Sequence, residues 1–295
     1  MPSRGSALPV AQAVALGVLH GPAELLPVSS SAHVTIVPWL LGSSYTELDD
    51  ELRKSFEVAL HAGTAAALAL ALREEVEEAV AGLDRRRIGL LAASFLPPAV
   101  VGYTLERPIE RRLGRPETIA AGLAIGALVM AVADRAPQVR THADAGLMDG
   151  LWLGVAQACS LMPGISRNGA TLAAARLRGF TRPDANRLSR HAALPVIAGA
   201  TLLKGVRLYR RGLPPGTALP FAAGAGAAFV STLGSRWLIG QVERNRSLAP
   251  YAAYRLGLAA LVVSRLRRGS ARPVVTRRLA RVVPPGSLRV VPPAR

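Results

Sequence analysis

Cysteine occurs once in the 295 residues, at Cys159, which excludes an internal disulfide and a cysteine-ligated metal cluster. Aromatic residues make up only 4% of the chain. Lysine is nearly absent, at Lys54 and Lys204 alone, so arginine carries the positive charge. This reads as a codon preference without functional content. Acidic residues are the minority, 19 against 36 basic ones, for a net charge of +17. That excess invites a nucleic-acid reading, but its distribution argues against one. Residues 265–295 hold nine arginines and no acid, more than half of the excess, together with Pro273, Pro284, Pro285, Pro292 and Pro293. Such a segment reads as a disordered tail, either suited to anionic lipid headgroups or simply solvated. No nucleic-acid partner is expected.

What the chain has in abundance is apolar: half of it is hydrophobic, carried by Ala, Leu, Gly and Val. Several apolar runs approach membrane-spanning length, and small residues let membrane helices pack closely. The expectation is an all-α, polytopic integral membrane domain over residues 1–265, followed by the basic tail at 266–295. Two halves, 8–133 and 147–265, flank the polar stretch Asp134–Asp149. Helices are expected over 56–72, 88–105 (kinked at Pro97-Pro98), 118–133, 192–206, 219–240 and 248–266, with polar connections at 43–55, 73–87 and 178–190. Arg4 followed by Val10–Leu19 has the pattern of a signal peptide; cleavage there would remove or abut the main motif, so that reading is rejected. Most loops are positive, and the positive-inside rule gives no clean orientation. Gly224-Ala225-Gly226-Ala227-Ala228 has half of a dinucleotide fingerprint, without the third glycine or a preceding strand. Helix packing through small residues is the better reading.

One stretch concentrates polar chemistry between two apolar runs: His20-Gly21-Pro22-Ala23-Glu24-Leu25-Leu26-Pro27-Val28-Ser29-Ser30-Ser31-Ala32-His33. Polar groups there are costly unless paired or used. The pattern predicts a helix that breaks from Gly21-Pro22 to Pro27 and restarts with Ser29 or Ser30 as N-cap. The new N-terminus would present free N–H groups to a phosphate. A second break follows about 136 residues on, at Met162-Pro163-Gly164-Ile165-Ser166-Arg167-Asn168-Gly169-Ala170-Thr171. The approaches match too, Gly17-Val18-Leu19 and Gly154-Val155-Ala156. Broken apolar segments at corresponding places in two halves point to a midplane site in a repeat-built membrane protein. Each half would carry a broken, re-entrant helix pair.

Glu24 fits either an arginine-paired structural glutamate or a metal ligand or general base. Ser30 and His33, three apart, share a helical face, which puts the imidazole in reach of the hydroxyl or of a bound phosphate. Arg167 offers a fork of donors that matches phosphate oxygens; its alternative is snorkelling. His61 either lines the site or packs, and His142 reads as solvated.

These two motifs resemble the bacitracin-resistance undecaprenyl-diphosphatase family of bacterial membranes. The first family motif, roughly E-G-x-T-E-F-L-P-V-S-S-S/T-G-H, stands here as His20 to His33. The second, P-G-x-S-R-S-G-x-T, stands as Pro163 to Thr171, with Asn168 replacing its second serine. Phe56-Glu57-Val58 and Pro250-Tyr251-Ala252-Ala253-Tyr254-Arg255 are weaker echoes. The resemblance implies a phosphatase that converts undecaprenyl diphosphate, or a similar polyprenyl diphosphate, to the monophosphate. It implies a multi-pass protein of the bacterial inner membrane, a homodimer, and a role in recycling the cell-wall lipid carrier and resisting bacitracin. It implies Glu24, Ser30 and His33 as catalytic: Ser30 as nucleophile or phosphate binder, His33 as acid or base. Ser29, Ser166, Arg167 and Thr171 would bind the diphosphate, with Asn168 and His20 as further candidates. It also implies a divalent cation, magnesium or calcium, with Glu24 as ligand. His20 stands where the family usually has its first glutamate, which removes a hard oxygen donor; imidazole suits other metals. The options left to His20 are phosphate binding, a base role or reduced activity. Ala23 and Ala32 replace a threonine and a glycine, His61 stands where glutamine is usual, and Arg190-His191 falls in a region that is apolar in the family. The rival expectation is a carrier of a polyprenyl phosphate that does not cut it, since inverted repeats with broken helices also build transporters.

Overall fold

The computed structural model describes residues 8–213, 215–244 and 247–270. Twelve α-helices run in order: α1 Val10–Leu25, α2 Ser30–Leu41, α3 Asp50–Ala71, α4 Arg73–Ala81, α5 Arg85–Leu113, α6 Pro116–Ala133, α7 Leu147–Cys159, α8 Arg167–Leu177, α9 Arg182–Arg211, α10 Ala218–Gly234, α11 Trp237–Arg244 and α12 Ala249–Ser270. Among the described residues there is no strand, only an isolated bridge between Arg140 and Phe180. The all-α class holds.

Length separates the helices into two kinds. α5, α6 and α9 are long and apolar enough to cross a membrane, and the bent pairs α3–α4 (68°) and α10–α11 (49°) bring the number to five if each is one span. By contrast α2, α7 and α8 have 12, 13 and 11 residues. At 1.5 Å per residue none of them exceeds about 20 Å, against a hydrocarbon core of about 30 Å. They are the re-entrant arms of the two breaks. Large apolar side chains such as Val18, Leu96, Leu128, Val132, Leu202 and Leu219 face outward, as lipid contact requires.

The halves are interlocked. α1 packs mainly on α10, and α7 mainly on α5. If α1, α2, α3, α5 and α6 correspond to α7, α8, α9, α10 and α12, these two packings are the same one with the halves exchanged. The pairings α3–α10 and α5–α9 are related in the same way, while α6–α12 maps onto itself. Glycines explain why the short helices approach so closely. A Cβ on Gly17 would run into the Gly224 backbone carbonyl, and one on Gly21 would lie 2.6 Å from the Thr232 nitrogen. In the other half Gly150 lies on the Leu90 backbone, and a Cβ on Gly154 would lie 2.6 Å from the Ala93 carbonyl. Both are small residues four apart on one face, the packing device of membrane helices. Gly224 is part of this packing and not of a nucleotide loop. The halves then meet at α2, α6 and α12, through Ile36, Ile119, Leu123 and Val262.

Several boundaries differ from the sequence expectation. α1 does not break at Gly21-Pro22 but continues through Pro22 to Leu25; proline inside an embedded helix is tolerated where neighbours resatisfy the backbone. The break is confined to Leu26–Ser29. The segment 73–87, expected as a loop, begins with α4: its Arg, Glu, Ala and Val form helix readily, and Arg73 meets Glu77 one turn on at 3.3 Å. Helices α3, α5 and α9 start six, three and ten residues earlier than the apolar runs alone indicate, because charged residues occupy their first turns. α12 continues to Ser270; residues 271–295, on which the rest of the tail expectation falls, lie outside the described residues.

Candidate active site

The two breaks meet at Glu24. Its carboxylate ends α1 and is shared between the halves. One oxygen accepts from the Ser30 hydroxyl at 2.5 Å, the other from the Arg167 guanidinium. Ser30 is the first residue of α2 and Arg167 the first of α8. A single carboxylate therefore bridges two helix N-termini that lie 137 residues apart in sequence. Asn168 adds a second tie, donating to the Leu25 carbonyl at 3.0 Å. Both readings of Glu24 thus hold geometrically: it pairs with arginine, and it touches the candidate nucleophile.

The two N-termini are capped differently. Ser166 caps α8 by accepting from Gly169 N–H at 3.2 Å, so its hydroxyl is already in use. Ser29 occupies the N-cap position of α2, but its hydroxyl makes no capping bond and lies 3.3 Å from that of Ser31. Its backbone is at φ 76°, the one positive φ outside glycine among the described residues. Such strain costs on the order of 1–3 kcal/mol and persists only where the surroundings enforce it. The first-turn N–H groups of α2 therefore keep their capacity to hold an anion. The two termini thus differ: α8 has a side-chain cap and α2 has none.

His33 does not reach Ser30. Its Nδ1 lies 2.7 Å from the Ser29 carbonyl, and its Nε2 2.7 Å from the Tyr254 hydroxyl, with the two rings stacked at 5.6 Å. The shared helical face is real, but the imidazole is held by the strained turn and by α12. Thr171 is completely buried and meets the Ser189 hydroxyl at 2.5 Å, with Ser189 also 3.4 Å from the Asn168 amide oxygen. Thr171 thus supports Asn168 from behind.

A cleft opens from this centre. Glu24, Arg167, Asn168, Asn186, Ser189 and Arg190 form its polar side, and Leu68, Leu72, Leu194, Ile197, Ile239 and Val242 its apolar side. Arg190 is held at the rim by Glu75 of α4, at 3.0 Å, and by Glu243 of α11, at 2.5 Å. The bends of α3–α4 and α10–α11 are what bring these acids to it.

Behind Glu24 lie His20 and His61. The rings meet edge to face with centroids 4.6 Å apart. His20 Nδ1 is 2.9 Å from the Thr64 hydroxyl, and His61 Nδ1 is 2.8 Å from the Glu57 carbonyl. The resemblance implies a magnesium or calcium ion, and the donor set at this place is His20, Glu24 and His61. Those ions take six or more oxygens, or several waters with one or two carboxylates. Here two of the three donors are imidazoles, and only one carboxylate is present. The residues do not fit a hard cation.

Arg255 lies between the two breaks, a position the sequence does not single out. It is fully buried. Its guanidinium reaches the carbonyls of Gly164 (3.0 Å), Gly122 (3.4 Å) and Pro27 (3.5 Å), and the Met130 sulfur at 3.2 Å. Pro27 and Gly164 belong to the first and second breaks, so one cation ties both. The Pro250–Arg255 echo was the available signal; a lone arginine on an apolar helix reads equally well as snorkelling.

The chain is similar to known bacterial membrane proteins over most of its length. Undecaprenyl-diphosphatase of Geobacter sulfurreducens is 39% identical over 262 residues, covering 84% of this chain and 94% of the relative. That of Geobacter metallireducens is 38% identical over 257 residues (83% and 93%), and that of Pelobacter propionicus 37% over 271 residues (87% and 97%). Residues 13–261, which include both breaks and Arg255, match the family described as bacitracin resistance protein BacA, and the chain belongs to that family.

Proposed function

We propose that the protein is an undecaprenyl-diphosphate phosphatase of the bacterial inner membrane, releasing inorganic phosphate and the lipid monophosphate. The observation that carries the reading is the Ser30–Glu24–Arg167 constellation at the polar end of a cleft with an apolar flank. A nucleophile, its base and a phosphate clamp share one carboxylate, and the apolar wall suits a prenyl chain.

The terminal phosphate sits at the N-terminus of α2, where backbone N–H groups and the helix dipole favour negative charge. Arg167 spends its Nη2 on Glu24 and has further donors for phosphate oxygens. Ser30 attacks the terminal phosphorus, and its proton passes to Glu24. The bond from that phosphorus to the bridging oxygen breaks, and the lipid monophosphate leaves. Glu24 hands that proton to the departing phosphate oxygen of the lipid. It then takes a proton from water as the water attacks the phosphoserine phosphorus, and returns it to the Ser30 oxygen as phosphate leaves. His33 acts by fixing Ser29 and hence the aim of Ser30. Most of the catalysis is positioning and charge stabilisation, as phosphoryl transfer requires.

A carrier would need Arg167 but not a hydroxyl paired with a base, so the Ser30–Glu24 hydrogen bond favours hydrolysis over transport. The test is phosphate release from a polyprenyl diphosphate by the purified protein in detergent. Ser30→Ala and Glu24→Gln are expected to abolish release while the protein remains folded and binds lipid. Release that persists in Glu24→Gln at the wild-type rate overturns the assignment.

A further inference from the structure

The mechanism leaves His20 unused, and it is an unusual residue to leave so. It is 1% exposed, and its Nε2 is buried without a hydrogen-bond partner. A buried imidazole nitrogen in that condition costs free energy unless something fills the role of partner. Three facts say what would. The available ligand atoms of His20, Glu24 and His61 all lie within 4.8 Å of one another, close enough to converge on one ion. His61 has its Nδ1 on the Glu57 carbonyl, so that nitrogen carries the proton and Nε2 keeps its lone pair. His20 has its Nδ1 on the Thr64 hydroxyl, which is itself 3.4 Å from that of Thr232. Metal-binding histidines are oriented in this way, the second nitrogen held by a carbonyl or hydroxyl so that the first points at the ion.

We infer that His20, His61 and Glu24 form a binding site for a zinc-class divalent ion, in place of a hard-cation site. Two imidazoles and one carboxylate are a donor set of catalytic zinc proteins, and imidazole selects zinc, copper, nickel or iron over magnesium and calcium. Glu24 can serve both sides, because a carboxylate has about four lone-pair positions and Ser30 and Arg167 occupy one on each oxygen. The His20–Thr64 and Thr64–Thr232 contacts tie α1, α3 and α10 behind the site, so the cage belongs to the packing that holds α1 in place. This inference shares Glu24 with the phosphatase reading but does not depend on it.

The test is metal content, read apart from turnover. Full-length protein in detergent is stripped with a chelator, reloaded with zinc, desalted and assayed for metal. One zinc per chain is expected, undiminished by a large excess of magnesium or calcium, and cobalt reloading is expected to give the intense visible absorption of a low-coordinate site. His20→Gln and His61→Gln should each weaken zinc binding on the order of 100-fold, while His33→Gln, outside the cage, should not. His20→Glu, which returns a carboxylate, should lower zinc affinity and bring in magnesium or calcium. Chelator-stripped protein that is monodisperse and takes up no zinc overturns the inference. So does zinc uptake unchanged in both His20→Gln and His61→Gln. Phosphate release measured on the same samples with Ser30→Ala judges the phosphatase reading separately.

Discussion

Replacing Arg167 by glutamine separates two roles that one side chain fills. The side chains of Glu24 and Arg167 are 10% and 22% exposed, so the pair is largely but not completely dry. Removing one partner of a buried pair costs about 3–5 kcal/mol, because the other charge is left uncompensated. With this residual exposure the lower end applies, about 3 kcal/mol. Replacing Glu24 by glutamine as well removes the stranded charge, so the double variant should recover most of that loss; with Glu24→Gln measured alone, the cycle gives the coupling energy. Substrate binding follows a different rule. Loss of two charge-assisted hydrogen bonds to phosphate, at about 1.5 kcal/mol each, removes about 3 kcal/mol from the transition state. That is a fall of roughly 100-fold in the rate constant. Melting in detergent, followed by tryptophan fluorescence, reads the first quantity, and phosphate release well below the melting point reads the second. If Arg167→Gln remains within tenfold of the wild-type rate, Arg167 is a counterion for Glu24 and nothing more. If the double variant is no more stable than Arg167→Gln, the ion pair does not carry the stability assigned to it.

Gly17→Leu should be destabilising by at least the 1–3 kcal/mol typical of overpacking, since its Cβ already meets the Gly224 carbonyl and lies 2.8 Å from the Ala227 Cβ; a lowered melting temperature with α1 detached from α10 checks it. Ser29→Gly removes the cost of a positive φ and should raise stability by about 1 kcal/mol, whereas Ser29→Val should lower it; thermal melts of the two decide. At the end of α6, burial pushes the Asp134 carboxyl up. Hydrogen bonds from the Ser247 hydroxyl, the Arg182 guanidinium and Leu248 N–H, with the Arg182 charge, outweigh it and hold the group below its ordinary value. Its contribution is therefore complete above the unfolded carboxyl's pKa, about 3.9, and is lost as pH falls through the lower, folded value. Melting temperature should drop in that acid window, and the drop should be smaller in Asp134→Asn.

The breaks, the short arms around them and Glu24 and Arg167 were legible because each leaves a local mark: a proline, a hydroxyl, a charge in an apolar run. What was not legible is carried by long-range geometry. His33 reads as the partner of Ser30 from spacing alone, yet Tyr254, 221 residues away, takes one nitrogen and the Ser29 carbonyl the other. Arg255 looks like its neighbours Arg265 and Arg267 in sequence; only the fold buries it between the two breaks. The start of α9 was missed for a simpler reason. Arg182-Pro183-Asp184 begins the helix with proline at its start and Thr181 as cap, signals that an apolar-run reading passes over. The position of His20 opposite His61 likewise required α1 and α3 to be placed side by side.

The interlock of the halves has a consequence for synthesis. α1 is made first among the described helices, and its main neighbour, α10, begins at Ala218, some two hundred residues later. Until then the faces of Gly17 and Gly21 have no α10 backbone to lie against, and Thr64, which holds His20, has no Thr232 beside it. α7 finds α5 already waiting, so the second broken pair docks early and the first one late. Closing so long a loop is slow, which makes the nascent first half the natural client of insertion factors and the stage most exposed to misassembly. The cleft at Glu24, walled in part by Ile239 and Val242, is therefore among the last features of the molecule to exist, and a chain interrupted before Ala218 never completes it.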